Sequence, residues 1–166
     1  MMRIIVMGVS GSGKTSVGMA IAESLKLPFL EGDTLHPQGN IDKMASGIPL
    51  TDDDRWPWLD AIGTELAKAQ SGLVVSCSAL KINYRDRLRD KAGGPLAFIF
   101  LDGSIEVLRG HMSQRTGHFM PLSMLDSQIA TLEVPNDEAL VYRQDVVNSV
   151  DDIVKASVNW LREELS

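Results

Sequence analysis

The chain has 166 residues, 44% of them hydrophobic, and a formal net charge of −6, which suits one compact domain with a real core and argues against a surface built to neutralise nucleic-acid phosphates. No run of about 18 apolar residues occurs and RIIVMGV runs straight into glycines, so neither a membrane span nor a secretion signal is expected. The single cysteine, Cys77, rules out an intrachain disulfide and reads as a core residue in a reducing, cytoplasmic setting.

In chain order, apolar segments predict buried strands at Ile4–Met7, Pro28–Leu30, Leu73–Cys77 and Leu96–Leu101, with a weaker fifth near Ala139–Tyr142. Helical spacing separates them. Thr15–Leu25 carries Val17, Ala20, Ile21 and Leu25 on one face; Asp53–Gln70 carries Trp58, Leu59, Ile62, Leu66 and Ala69 likewise. Ser104–Met112, Leu122–Leu132 and Val150–Leu165 are further helix candidates, the last capped by Asn148 or Ser149. Short apolar strands alternating with helices predict a parallel sheet covered on both faces, an α/β sandwich over residues 1–166 with no linker or internal repeat. In such sheets ligands bind beyond the carboxyl ends of the strands. The tips to examine are therefore GVSGSGKT, EGDTLHP, SCSALK and LDGS.

The first tip, Gly8-Val9-Ser10-Gly11-Ser12-Gly13-Lys14-Thr15, satisfies G-x-x-x-x-G-K-[ST] between a predicted strand and a predicted helix. Its N–H groups must converge on phosphate oxygens, which demands glycine backbone angles. Lys14 supplies charge for the β- and γ-phosphates, Thr15 a hydroxyl for Mg²⁺, and the helix N-terminus its dipole. Switch GTPases, motor ATPases and small-molecule kinases share this loop, so the acceptor has to be sought at the other tips.

Asp33, at the second tip, has two readings: it accepts a proton from an attacking hydroxyl or orients it, or it caps the next helix. His36 is open in the same way, between acceptor contact and a local structural role. Asp52, Asp53 and Asp54 read mainly as first-turn charges complementing a helix dipole. Arg55, between those carboxylates and two tryptophans, can present a fixed fork to an acceptor carboxylate. At the third tip Lys81 and Arg85 lie four apart, which places both on one helical face toward the cleft; Arg87 and Arg89 are expected to pair with Asp86, Asp90 and solvent. Arg55, Lys81 and Arg85 together predict an anionic acceptor.

These stretches, MGVSGSGKT, EGDTLHP with NIDKMASGIPLTDDDRWPWL, CSALKINYRDRLR and RTGHFMPLSMLDSQIATLE, closely resemble the gluconokinase family. The resemblance implies a relative of the shikimate and nucleoside monophosphate kinases: a three-layer α/β/α P-loop fold with a five-stranded parallel sheet. It further implies an acceptor-binding helical region at about 33–60 and a mobile lid at about 109–124. The implied reaction is ATP plus D-gluconate giving ADP plus 6-phospho-D-gluconate, in carbohydrate-acid catabolism feeding the pentose phosphate or Entner-Doudoroff route, by a cytoplasmic homodimer.

Carried over by position, the resemblance makes Gly8 to Thr15 the ATP and Mg²⁺ loop and Asp33 the acidic residue after the second strand. It places Arg55, Lys81 and Arg85 near the sugar acid. Arg115 becomes the lid arginine on the transferring phosphoryl group, seconded by Arg109 or His111. His118 in GHF contacts the acceptor on closure or caps the following segment, and Gly110 and Gly117 act as hinges or as ordinary turn residues. Two other readings compete: a kinase for another small hydroxy acid such as shikimate, whose third strand would end in a run of glycines, and a nucleotide-binding switch with no acceptor chemistry.

Overall fold

The computed structural model describes residues 1–113 and 122–165. Five parallel strands form one sheet in the order β2-β3-β1-β4-β5: β1 Met2–Met7, β2 Phe29–Glu31, β3 Gly72–Ser76, β4 Ala97–Asp102 and β5 Val141–Asp145. Ile4, Ile5, Val6 and Met7 of the central strand are fully buried, as expected for a strand covered on both faces. Register pairs Ile5 with Val75 on one side and with Phe98 on the other.

The helices are α1 Lys14–Leu25, α2 Gln38–Ala45, α3 Asp52–Lys68, α4 Ile82–Lys91, α5 Ile105–Ser113, α6 Leu122–Thr131 and α7 Val150–Leu165, with a 3-10 turn at Gly32–Leu35. α1 and α7 pack on each other and on the sheet, whereas α3 and α4 form a second packed pair. The core runs through α3 by way of Trp58, Leu59, Ile62 and Leu66, all at most 1% exposed. A smaller apolar cluster, Met44, Leu50 and Met124, joins α2 and α6 above the cleft.

Most expected elements stand within a residue or two of their sequence bounds, with three differences. The fifth strand lies two to three residues later than expected, at Val141–Asp145, because its ladder with β4 pairs Arg143 and Gln144 with Phe100 and Leu101 despite their polarity. Gly110 sits inside α5 and so is not an ordinary turn residue, whereas Gly117 lies outside the described residues. Helix α2 follows Pro37, which stands at its N-cap position, so the Asp33 side chain does not cap it. Of the two candidate caps for α7, Ser149 does the work, its hydroxyl accepting from the Asp152 N–H at 3.1 Å. Cys77 is buried as expected, and burial pushes its thiol up to about 12.

Candidate active site

The phosphate loop joins β1 to α1. Gly11 has φ +83, and a Cβ there would meet the Leu108 carbonyl oxygen at 2.7 Å, so α5 and the loop approach too closely for any side chain. Lys14 Nζ donates to the Val9 carbonyl at 3.1 Å, folding the ammonium back over the loop. The Thr15 hydroxyl donates to Glu31 at 2.5 Å, and Ser76 donates to the other oxygen of the same carboxylate at 2.5 Å. Glu31 was not singled out from the sequence; its position as the last residue of β2, next to the loop's hydroxyl, was the available signal.

Gly32 turns the chain at the β2 tip, where a Cβ would meet the Ser76 carbonyl oxygen at 2.1 Å. Trp58 Nε1 donates to the Gly32 carbonyl at 2.8 Å from the buried face of α3, and the Trp58 ring stacks on His36 with centroids 4.0 Å apart. This packing presents Asp33 and His36 toward the loop. Lys14, Asp33, His36 and Arg55 line one pocket with Ser10, Ser78 and Gln128, walled on its apolar side by Met44, Leu50, Leu80, Trp58 and Met124. The enclosed cavity measures about 40 Å³.

Arg55 is aimed by its neighbours: Nη1 donates to the Leu50 carbonyl at 2.8 Å and to the Tyr84 hydroxyl at 3.0 Å, with the guanidinium 5.2 Å from the Tyr84 ring centroid. The Tyr84 hydroxyl in turn donates to Asp52. Burial, and then that bond, push the Tyr84 phenol up to about 12, while the Tyr84 and Lys81 hydrogen bonds hold the Asp52 carboxyl below its usual range. Asp52, Asp53 and Asp54 all stand in the first turn of α3, as the helix-charge reading expects, and Asp54 closes a capping box with Thr51. Asp52 also braces the Tyr84 and Lys81 side chains.

Lys81 and Arg85 do not join Arg55 in the pocket. Lys81 has extended backbone at the N-cap of α4, one residue short of the helix, so the four-residue spacing does not place it on the Arg85 face. Its ammonium pairs with Asp52 at 3.1 Å. Arg85 is 0% exposed and fully engaged, with the Glu138 carboxylate at 2.9 and 2.8 Å and with the Ala79 and Glu133 carbonyls at 2.7 and 2.8 Å. A hydrophilic, Arg-rich sequence concealed a buried structural arginine. Burial works against the Glu138 charge, yet bonds from Arg85 and Arg89 hold its carboxyl below the ordinary range. Arg89 reaches Asp86 as well as Glu138, and Arg87 pairs across to Asp60 of α3 instead of Asp90.

Of the lid residues, Arg115 and His118 lie outside the described residues. His111 and Arg109 separate clearly: the His111 Nδ1–H donates to the Gly11 carbonyl at 2.8 Å, while Arg109 pairs with Asp126 at 2.8 Å on the exposed side of α6. Gln128, also unread from sequence, accepts from the Ser10 N–H at 2.7 Å and so ties α6 to the phosphate loop. On the far side of that loop, Gly11, Gly13, His111, Val146, Asn148 and Val150 line a second, open pocket under the β5–α7 connection.

Comparison with known proteins places this arrangement. A family model described as an AAA domain matches residues 4–135. A gluconokinase of Gluconobacter oxydans is 44% identical over 164 residues, covering 97% of this chain and 92% of that protein. The thermosensitive gluconokinase of Escherichia coli is 46% identical, covering 91% of this chain and 82% of its own length. The crystal structure of a gluconokinase from Sinorhizobium meliloti superposes with TM-score 0.91 at 57% identity, over 98% of this chain and 92% of that one. With a phosphate loop after β1 and likeness along nearly its whole length, the chain belongs to the gluconokinase family, on an AAA-domain P-loop scaffold.

Proposed function

We propose that the protein transfers the γ-phosphoryl group of ATP to the terminal hydroxyl of D-gluconate, giving ADP and 6-phospho-D-gluconate. The observation that carries this reading is the placement of Lys14, Asp33 and Arg55 around one pocket that opens on the phosphate loop. Phosphoryl transfer asks mainly for alignment and charge neutralisation. The loop amides and Lys14 hold the β- and γ-phosphates; Arg115 approaches the γ-phosphoryl group from the lid. The base of ATP fits the open pocket under the β5–α7 connection, beside Val146, Asn148 and Val150.

At the acceptor end the Arg55 fork takes the gluconate carboxylate, and Asp33 orients the attacking hydroxyl and receives its proton. His36 contacts an acceptor hydroxyl, and His118 closes over the sugar acid. Lys81 and Arg85 act at one remove, Lys81 by bracing Asp52 and Tyr84 behind Arg55. The Thr15 hydroxyl, with the Glu31 carboxylate beside it, is an all-oxygen donor set suited to Mg²⁺ arriving with the nucleotide, which supplies charge neutralisation of the phosphates when bound. A homodimer and a cytoplasmic setting complete the proposal; none of the helices among the described residues is long and apolar enough to cross a membrane.

The test is ADP production from Mg-ATP across gluconate, its epimers, shikimate, glucose and nucleoside monophosphates. Stimulation by gluconate well above every other acceptor is expected; a larger response to shikimate would replace the acceptor, and no response to any would favour a switch. Asp33→Asn is expected to fold and to lose about 10³-fold in kcat with KM for ATP unchanged. Full activity in that variant removes Asp33 from the catalytic role.

A further inference from the structure

Asn40 lies in α2 and is 5% exposed. Its Nδ2 is 2.8 Å from the Asp54 backbone carbonyl and 3.1 Å from His36 Nδ1. A backbone carbonyl only accepts, so the amide nitrogen, and not the amide oxygen, must face it. The second proton of that nitrogen then points at His36 Nδ1, which can only receive it through a lone pair. The neutral ring must therefore carry its proton on Nε2.

That nitrogen faces the acceptor pocket. His36 Nε2 is 3.7 Å from the nearer oxygen of Asp33, too far for a direct hydrogen bond. A hydroxyl oxygen seated about 2.8 Å from each would bridge them, accepting from Nε2–H and donating to the carboxylate. We propose that Asn40 is a positioning residue that locks His36 as the Nε2–H tautomer, so that His36 and Asp33 together grip one hydroxyl of the acceptor. The polarity of the pair is complementary to an alcohol and to nothing charged. With the opposite tautomer, two acceptors would face the hydroxyl, which has one proton to give.

Three surroundings support a fixed neutral ring. Trp58 stacks on it at 4.0 Å and prevents a ring flip without repacking of α3. Among the described residues, the charged side chains that line the same pocket are Lys14, Asp33 and Arg55, and burial followed by the Arg55 charge lowers the imidazole to about 4. Asn40 is held on its other side by the first turn of α3, the segment that carries Arg55, so the tautomer lock and the carboxylate fork are built on one support.

This inference rests on the kinase reading of the pocket, and its test separates the two. Ring-¹⁵N histidine NMR on the whole protein distinguishes a protonated from an unprotonated Nδ1; only His36, His111 and His118 contribute, and His36→Gln identifies the signal. The expected wild-type result at neutral pH is an unprotonated Nδ1 and a protonated Nε2. Asn40→Leu is expected to give a mixed tautomer and a roughly tenfold rise in KM for gluconate, the size of one lost hydrogen bond, with KM for ATP unchanged. Asn40→Ser, which keeps polarity but loses reach, serves if the leucine variant fails to fold.

A wild-type His36 with protonated Nδ1 overturns the proposal and leaves the acceptor reading intact. So does a variant in which the tautomer becomes mixed while gluconate kinetics do not change. If gluconate fails to drive ADP formation, the acceptor reading falls while the ring signal still reports the lock.

Discussion

The two ends of the cleft are made in different ways. The end proposed to hold the donor is a run of eight consecutive residues, Gly8 to Thr15, where the contacts expected are mostly from the backbone. The end proposed to hold the acceptor gathers Asp33 from the 3-10 turn and His36 just after it, Arg55 and Trp58 from α3, Ser78 and Leu80 from the β3–α4 connection, and Met124 and Gln128 from α6. A site of the first kind tolerates change almost everywhere except in its few chemical side chains. A site of the second kind depends on whatever holds its separate segments together, so substitutions far from the acceptor should reach it.

The largest effect expected is at the donor end. Lys14→Ala removes the one mobile charge of the loop and should lower kcat by about 10⁴-fold, within the range seen for single cations on a transferring phosphoryl group. Thermal unfolding should change little, because the ammonium's bond to the Val9 carbonyl is local to its own loop. A variant that lost stability as well would make the donor end resemble the acceptor end and erase the contrast.

At the acceptor end the corresponding prediction concerns Arg85, which touches no substrate in this reading. It joins the Ala79 carbonyl to Glu133 and Glu138, and Glu133 in turn accepts from the Ile82 N–H at 2.8 Å. Arg85→Ala leaves the half-buried Glu138 with Arg89 alone and empties a fully buried guanidinium site, and should destabilise the fold by about 3 kcal/mol. Chemical denaturation measures this. Stability within about 0.5 kcal/mol of the parent would mean that the staple is not structural.

The same contrast explains what could be read without coordinates. The phosphate loop was legible because its spacing and flanking elements are contiguous, and the place of Asp33 in the pocket because it lies two residues past the end of β2. Lys81 and Arg85 were misplaced because a four-residue spacing implies a shared face only inside a helix, and Lys81 precedes α4 with ψ 152. Arg85 belongs with Glu138, 53 positions away, a pairing that no local pattern encodes. Glu31, Asn40 and Gln128 were missed for a related reason: each acts on a partner remote in sequence or through an orientation set by a third residue. Short-range periodicity carries elements and contiguous motifs; it does not carry the assembly of side chains from several elements.

An intermediate effect is expected from pH. His36 titrates near 6.5 when unfolded and is lowered to about 4 in the fold by burial first and Arg55 second. The unfolded chain therefore binds the proton first as pH falls, and native stability should decline from about pH 6.5 to about pH 4, then level off for this group. The decline is at most roughly 3 kcal/mol. Comparing urea midpoints of the parent and His36→Gln across this window isolates it: the variant should show the shallower slope. Equal slopes would place the charge sensitivity elsewhere in the acceptor end.

The smallest effect tests which cation meets the acceptor. Arg55→Lys keeps a positive charge but cannot hold the Leu50 carbonyl and the Tyr84 hydroxyl from one nitrogen while presenting a planar fork. KM for gluconate should rise about tenfold, KM for ATP should stay put, and stability should change little. Lys81→Met should do less, because Lys81 acts through Asp52 and Tyr84 and not on the acceptor. The reverse ranking would move the carboxylate contact from α3 to the start of α4. It would also weaken the coupling between donor and acceptor ends, since Arg55 lines the pocket with Lys14 and Lys81 does not.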